Sequence, residues 1–174
     1  MCDSTDCLTR LQKMAKSNST DADNISTNEV DWPQGLLNSA GFLLNRLGRR
    51  LRERLDIALA PLQLTTQELG LLRIISEHGP LTQQSLGKKN LTDRTTVVHL
   101  LDSLEERRLV IRTRNQTDRR SHLLYLTPRG KKTLSRAIKI TEREQIEFLQ
   151  PLTDDEWQGV RANLIKLLLH HEQT

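Results

Sequence analysis

The stretch "RTRNQTDRRS", Arg112 to Ser121, sets Arg112, Arg114, Arg119 and Arg120 around a single acid, Asp118, between two short runs of strand-forming residues. Guanidinium groups at this density suit one kind of chemistry. Each offers a planar fork of donors to phosphate oxygens and keeps its charge at any physiological pH. The window from Arg107 to Lys132 holds nine basic residues and one acid, while the whole chain carries a net charge of only +4. The rest of the chain is therefore mildly acidic, and the basicity is local. A solvated basic face would have the same composition, so neighbouring residues must decide between the two.

Just upstream, "TDRTTVVHLLDSLEERR" has a different capacity. At helical spacing, Arg94, Thr95, Thr96 and His99 fall on the side opposite Val97 and Leu101, near the helix start. Threonine can hydrogen-bond a base edge or offer its methyl to thymine, histidine can donate or accept, and arginine can reach guanine or a phosphate. A duplex groove admits one helix between two rows of phosphates, so a short-chained helix face flanked by cations is its complement.

The elements that must hold these groups can be read from periodicity. Residues 1–31 are rich in Asp, Ser, Thr and Asn and form a mobile tail. From Trp32, the apolar positions Leu37, Ala40, Leu44, Leu47, Leu51, Leu55 and Ala58 predict one long amphipathic helix that Pro61 ends. Thr65 and Glu68 form a capping box for a second, nearly all-buried helix that stops at "HGP" 78–80. "LTQQSLGKKN" reads as a short third helix capped by Thr82. The fourth starts at Thr92 and buries Val97, Leu100, Leu101 and Leu104. "LVIRTR" (109–114) and "SHLLYLT" (121–127) read as a β-hairpin. Thr127 and Pro128 open a fifth long helix to about Leu149. Thr153 and Glu156 cap a last one with Trp157, Val160, Leu164, Leu167 and Leu168 on one face. The fold class is mainly α with a small β-hairpin wing, in the order of a winged helix-turn-helix at 61–127.

Composition excludes several functions. At 3% aromatic residues, the chain cannot spend an aromatic on each base of a single strand. Cys2 and Cys7, its two cysteines, precede every core segment, so no disulfide framework is expected and the cytoplasm is the default setting. No apolar run approaches the roughly 20 residues of a membrane span. Without a glycine-rich phosphate loop or nucleophile elbow, the chain is not expected to be an enzyme or to hold a cofactor. His99, His122, His170 and His171 lack metal-ligand spacing, so no metal site is expected.

From "LTQQSLGKKN" through "TPRGKKTL" the residues resemble the MarR family of bacterial transcriptional regulators, including its wing signature, here Asp118, Arg119, Arg120 and Ser121 followed by Leu124, Leu126, Thr127 and Gly130. The resemblance implies a homodimer in which terminal helices, 32–60 and 128–174, interlock as a dimerisation region while each subunit presents one winged helix-turn-helix. It implies sequence-specific binding of a pseudo-palindromic DNA duplex, as a repressor released by a small acidic or phenolic effector. Arg94, Thr95, Thr96 and His99 become the recognition-helix contacts, Arg119 and Arg120 the wing contacts, and Asp118 the residue that shapes the wing. Spacing does not choose between Arg119 and Arg120 for the minor groove. An arginine such as Arg46 or Arg50 would suit an effector pocket, which stays unassigned.

Two other readings remain open: redox control through Cys2 and Cys7, and a winged helix used only for protein contact. The first is disfavoured by Asp3 and Asp6, which oppose thiolate formation. The chain departs from the family pattern at Arg108, where glycine usually separates the recognition helix from the strand. A left-handed cap without glycine is strained, so the helix is expected to end differently there.

Overall fold

The computed structural model describes residues 32–89, 94–116, 118 and 121–172, without the side chains of 87–89 and 94. The expected tail, Cys2, Cys7 and the Thr92 cap lie outside the described residues. The chain divides into two compact units, Met1–Leu44 and Asn45–Thr174. In the first, a short helix α1 (Gln34–Leu37) follows Pro33, and Trp32 packs edge-on against Phe42 with ring centroids 5.2 Å apart.

The single long helix expected from Trp32 is broken. Helix α2 spans Ala40–Leu59, and the break from α1 falls at Asn38 and Ser39. The cause is local: the Ser39 hydroxyl accepts the Phe42 N–H at 3.3 Å, so a side chain that suits a helix start interrupts the apolar period. Pro61 stands in a 3₁₀ turn, Ala60–Leu62, that closes α2, and Gln63 follows with φ 53°.

Helix α3 (Thr66–His78) has the expected capping box, in which Thr65 Oγ1 accepts the Glu68 N–H at 3.2 Å and Glu68 accepts the Thr65 N–H at 3.0 Å. Gly79, at φ 70°, ends it in a conformation that few other residues adopt. Strand β1 (Leu81–Thr82) then leads into α4 (Gln83–Lys89), where Thr82 Oγ1 accepts the Ser85 N–H at 3.1 Å. Reading 81–90 as helix missed this strand. A strand of two residues carries no period and exists only because β3 pairs with it.

Helix α5 (Arg94–Glu106) precedes the hairpin of β2 (Val110–Arg114) and β3 (His122–Leu126), and the sheet order is β1-β3-β2, all antiparallel. Helix α6 (Pro128–Leu149) and helix α7 (Asp154–Glu172) complete the chain. Leu59, Leu71, Leu72, Leu86, Val97, Leu101, Leu104, Val110 and Leu124 are all but sealed from solvent. The core thus lies where α3, α4 and α5 meet the sheet and the start of α6, and each buried leucine contributes about 1.5–3 kcal/mol.

The exit of α5 contradicts the expectation for Arg108. The Leu109 N–H donates to the Leu104 carbonyl at 2.9 Å and the Arg108 N–H to the Glu105 carbonyl at 2.8 Å, a Schellman closure in which Arg108 takes the left-handed position at φ 56°. Tertiary bonds hold it there. Thr127 Oγ1 donates to the Arg108 carbonyl at 2.7 Å, and the Thr127 N–H donates to the Leu109 carbonyl at 3.0 Å. Thr127 also caps α6 by accepting the Gly130 N–H at 2.9 Å. At Gly130 the helix backbone lies so close that a Cβ would stand 2.0 Å from the Leu109 carbonyl oxygen.

Helices α2 and α6 are joined by charge. Arg54 Nε donates to Glu144 Oε2 at 2.7 Å, and its other arm reaches Glu147. The Arg54 hydrogen bond, with a second from Arg143, holds the Glu144 carboxyl below the usual carboxylate range against the opposing effect of burial.

Two stability predictions follow from the α5 exit. Gly130→Ala must displace backbone and should cost about 1–3 kcal/mol, lowering the denaturant midpoint at unchanged m-value; an unaltered midpoint would refute the close approach. Arg108→Gly removes the left-handed penalty of about 1–2 kcal/mol and adds the chain entropy of glycine, so thermal unfolding should move up slightly. A lower melting temperature would show that the arginine side chain stabilises the turn.

Candidate nucleic-acid interface

Helix α5 buries Val97, Leu101 and Leu104 and leaves Thr95 and His99 exposed, with Thr96 half-buried. Arg94 is its first residue. The division into a sealed side and a polar side follows from the 3.6-residue period: Val97, Leu101 and Leu104 are spaced by four and three, and the polar positions fall between them.

The hairpin stands beside the same helix. Its strands pair from Val110 with Leu126 to Arg114 with His122. Past the last rung, the Asn115 N–H donates to the Ser121 carbonyl at 3.1 Å, and Asn115 Nδ2 lies 3.1 Å from Ser121 Oγ. The main-chain carbonyl of Asp118 accepts both the N–H of Ser121 at 3.0 Å and its hydroxyl at 3.1 Å. Arg119 and Arg120 lie outside the described residues.

The charge of the basic window is not uniformly available. Arg112 donates through Nη2 to Asp102 at 2.6 Å and through Nη1 to Glu105 at 2.5 Å, so two acids of α5 hold it. Arg107 is held by Glu68 and by the Gln63 carbonyl. Arg114 and Arg129 are exposed. Counting charge along the sequence missed this because the compensating acids lie upstream of the window, on α3 and α5. A usable signal was present in Asp102 and Glu105, an i, i+3 acidic pair in the half of the helix nearest the hairpin.

Away from this face, an open cleft of about 680 Å³ lies between α2 and α6, with Ile57, Ile140 and Phe148 as apolar wall and Arg50 and Arg54 among its charged residues. No helix among the described residues is long and apolar enough to cross a membrane, and none of the described acids and histidines cluster as metal ligands.

Comparison with known proteins agrees with this geometry. Residues 64–122 match the model of the MarR family. The putative transcriptional regulatory protein for the hcr operon of Thauera aromatica is 32% identical over 59% of this chain, although the match spans only 61% of that protein's length. The HTH-type transcriptional repressor Rv2887 of Mycobacterium tuberculosis is 30% identical over 73% of this chain and 91% of its own. Among solved structures, the transcriptional repressor CouR bound to a 23-mer DNA duplex is 30% identical, with a TM-score of 0.74 over 80% of this chain and 99% of that one. A mutant MarR from E. coli complexed with operator DNA is 26% identical, with a TM-score of 0.69 over 74% of this chain and 92% of that one. These relatives are named as regulators rather than enzymes, and the chain belongs to the MarR family of transcriptional regulators.

Proposed function

We propose that the protein is a repressor that binds pseudo-palindromic duplex DNA as a homodimer and leaves it when a small acidic or phenolic molecule binds. The observation that carries this reading is the exposed polar side of α5, with Thr95 and His99 set opposite a sealed apolar side and a hairpin standing beside it. Residues 61–127 form the DNA-binding region. Arg94, Thr95, Thr96 and His99 face the major groove, and Arg119 and Arg120, on a tip shaped by Asp118, face the phosphates or the adjacent minor groove. The two copies of α5 would read half-sites about one helical turn, roughly 34–36 Å, apart.

Residues 32–60 and 128–174 form the dimerisation region, with 1–31 as a tail ahead of it. Helix α7 supports this. None of its side chains is buried in the single chain, and Val160, Leu164, Ile165, Leu167, Leu168 and Leu169 all stand exposed. Apolar surface on this scale marks an interaction site. The effector is a small organic acid or phenol, for which the α2–α6 cleft pairs apolar wall with arginine. It acts only by its difference in affinity between the DNA-binding and released forms. The protein works in the cytoplasm.

The decisive experiment selects fragments of the organism's DNA on the wild-type protein and measures affinity for the recovered duplex against salt. Arg119→Ala with Arg120→Ala should weaken binding and flatten the salt slope by about one unit for each phosphate no longer neutralised. His99→Ala or Thr96→Ala should leave that slope alone and reduce base discrimination by about 1–3 kcal/mol. An unchanged slope in the double arginine variant would sink the wing assignment, and acidic or phenolic compounds added to the same assay should release the duplex.

Assembly is tested separately by sedimentation. Wild-type protein should run as a dimer, and Leu164→Glu with Leu168→Glu should run as a monomer with much weaker operator affinity. A monomeric wild type at concentrations that saturate the duplex would overturn the dimer.

A further inference from the structure

Arg112 belongs to the basic window by sequence, yet its surroundings are acidic. It sits in the middle of the hairpin, opposite Leu124, rather than at the tip. Its side chain is 23% exposed, and its two terminal nitrogens end on different carboxylates, Nη2 on Asp102 at 2.6 Å and Nη1 on Glu105 at 2.5 Å. Glu105 grips the strand twice, because its other oxygen accepts the Arg112 main-chain N–H at 3.4 Å. A guanidinium flanked by two carboxylates has its charge compensated, which weakens its attraction for phosphate. A planar fork bound to two fixed acceptors does have something else to give, because it defines direction as well as distance.

We propose that Arg112 is a positioning residue for duplex recognition, a brace that fixes the roll of the hairpin on α5 through Asp102 and Glu105. The inference rests on the DNA-binding reading. The groups proposed to meet DNA fall in two separate stretches of the sequence, the first turns of α5 and the segment that joins β2 to β3. They can meet one duplex in register only if the angle between helix and hairpin is set in advance. Asp102 and Glu105 are one turn apart on α5, so the pair resists both sliding and rotation of β2 along the helix. Partly exposed ion pairs contribute little to stability, so the brace acts mainly on geometry.

The brace and a direct phosphate contact make opposite demands on a lysine. Arg112→Lys keeps the charge and loses the fork, whereas Arg112→Gln loses both. If Arg112 is a brace, both variants lower the ratio of specific to non-specific duplex affinity by about tenfold, and the non-specific salt slope stays at its wild-type value. Asp102→Asn with Glu105→Gln lowers the same ratio, and combining it with Arg112→Gln adds no further loss, since each set removes the same interaction. Thermal melts of every variant separate a change of recognition from a loss of fold. Because Arg112→Lys retains the charge, it remains informative if the glutamine variant unfolds.

A lysine variant with wild-type selectivity overturns the brace. A glutamine variant whose non-specific salt slope falls by about one unit per subunit also overturns it, in favour of a phosphate contact. Independent, additive losses from the arginine and the acids would do the same. Wild-type protein that prefers no duplex overturns the DNA-recognition reading and takes the brace with it, whereas selective wild-type binding with an equally selective lysine variant removes the brace alone.

Discussion

One buried carboxylate ties α5 to the rest of the fold. Glu68 Oε2 accepts the Thr65 N–H and starts α3, while its Oε1 accepts the Ser103 hydroxyl at 3.1 Å and the Arg107 guanidinium at the far end of α5. Its side chain is only 7% exposed, and removing one partner of such a buried pair typically costs about 3–5 kcal/mol. Arg107 extends the tie to the Gln63 carbonyl, in the left-handed turn that precedes α3. The start of one helix and the end of another are therefore fixed by the same group, which sets how α5 lies on its neighbours.

Everything after α5 inherits that placement. The helix cannot end loosely, because Leu109 is buried and its carbonyl receives Thr127. Thr127 in turn starts α6, and Gly130 lets that helix press against the Leu109 backbone. The hairpin leaves and returns through this one junction, and Arg112 fastens it to α5 a second time. Threonine and glycine in the Leu-Thr-x-x-Gly tail thus have plain physical duties. One is a cap shared between two elements, and the other is a side chain whose absence makes room.

Most of this was legible in the sequence where the signal is local. Thr65 with Glu68 and Thr127 with Pro128 marked helix starts, the strand-forming runs on either side of "NQTDRR" marked the hairpin, and Val97, Leu101 and Leu104 gave the buried side of α5. The polar side of α5 followed from the same period. What escaped depends on partners distant in the chain. Leu81 and Thr82 become a strand only through β3, and Arg108 adopts a left-handed backbone because Thr127 holds its carbonyl. Glu68 was legible as a cap but not as the partner of Arg107, and Arg112 was counted as free charge because its acids stand seven and ten positions upstream. The break at Ser39 was local, but it was masked by an apolar period that continues through it.

The close approach at Gly130 also has a mechanical side. Helix α6 runs for 22 residues from Pro128, about 33 Å at the usual rise. With backbone against backbone at one end, sliding over the α5 exit would drive main-chain atoms together, so a tilt is the easier movement. For a lever of that length, a tilt of about 5° moves the far end by roughly 3 Å. A displacement near Leu149 is therefore geared down to a slight rotation at Leu109, and a slight rotation of the hairpin root is geared up at the other end.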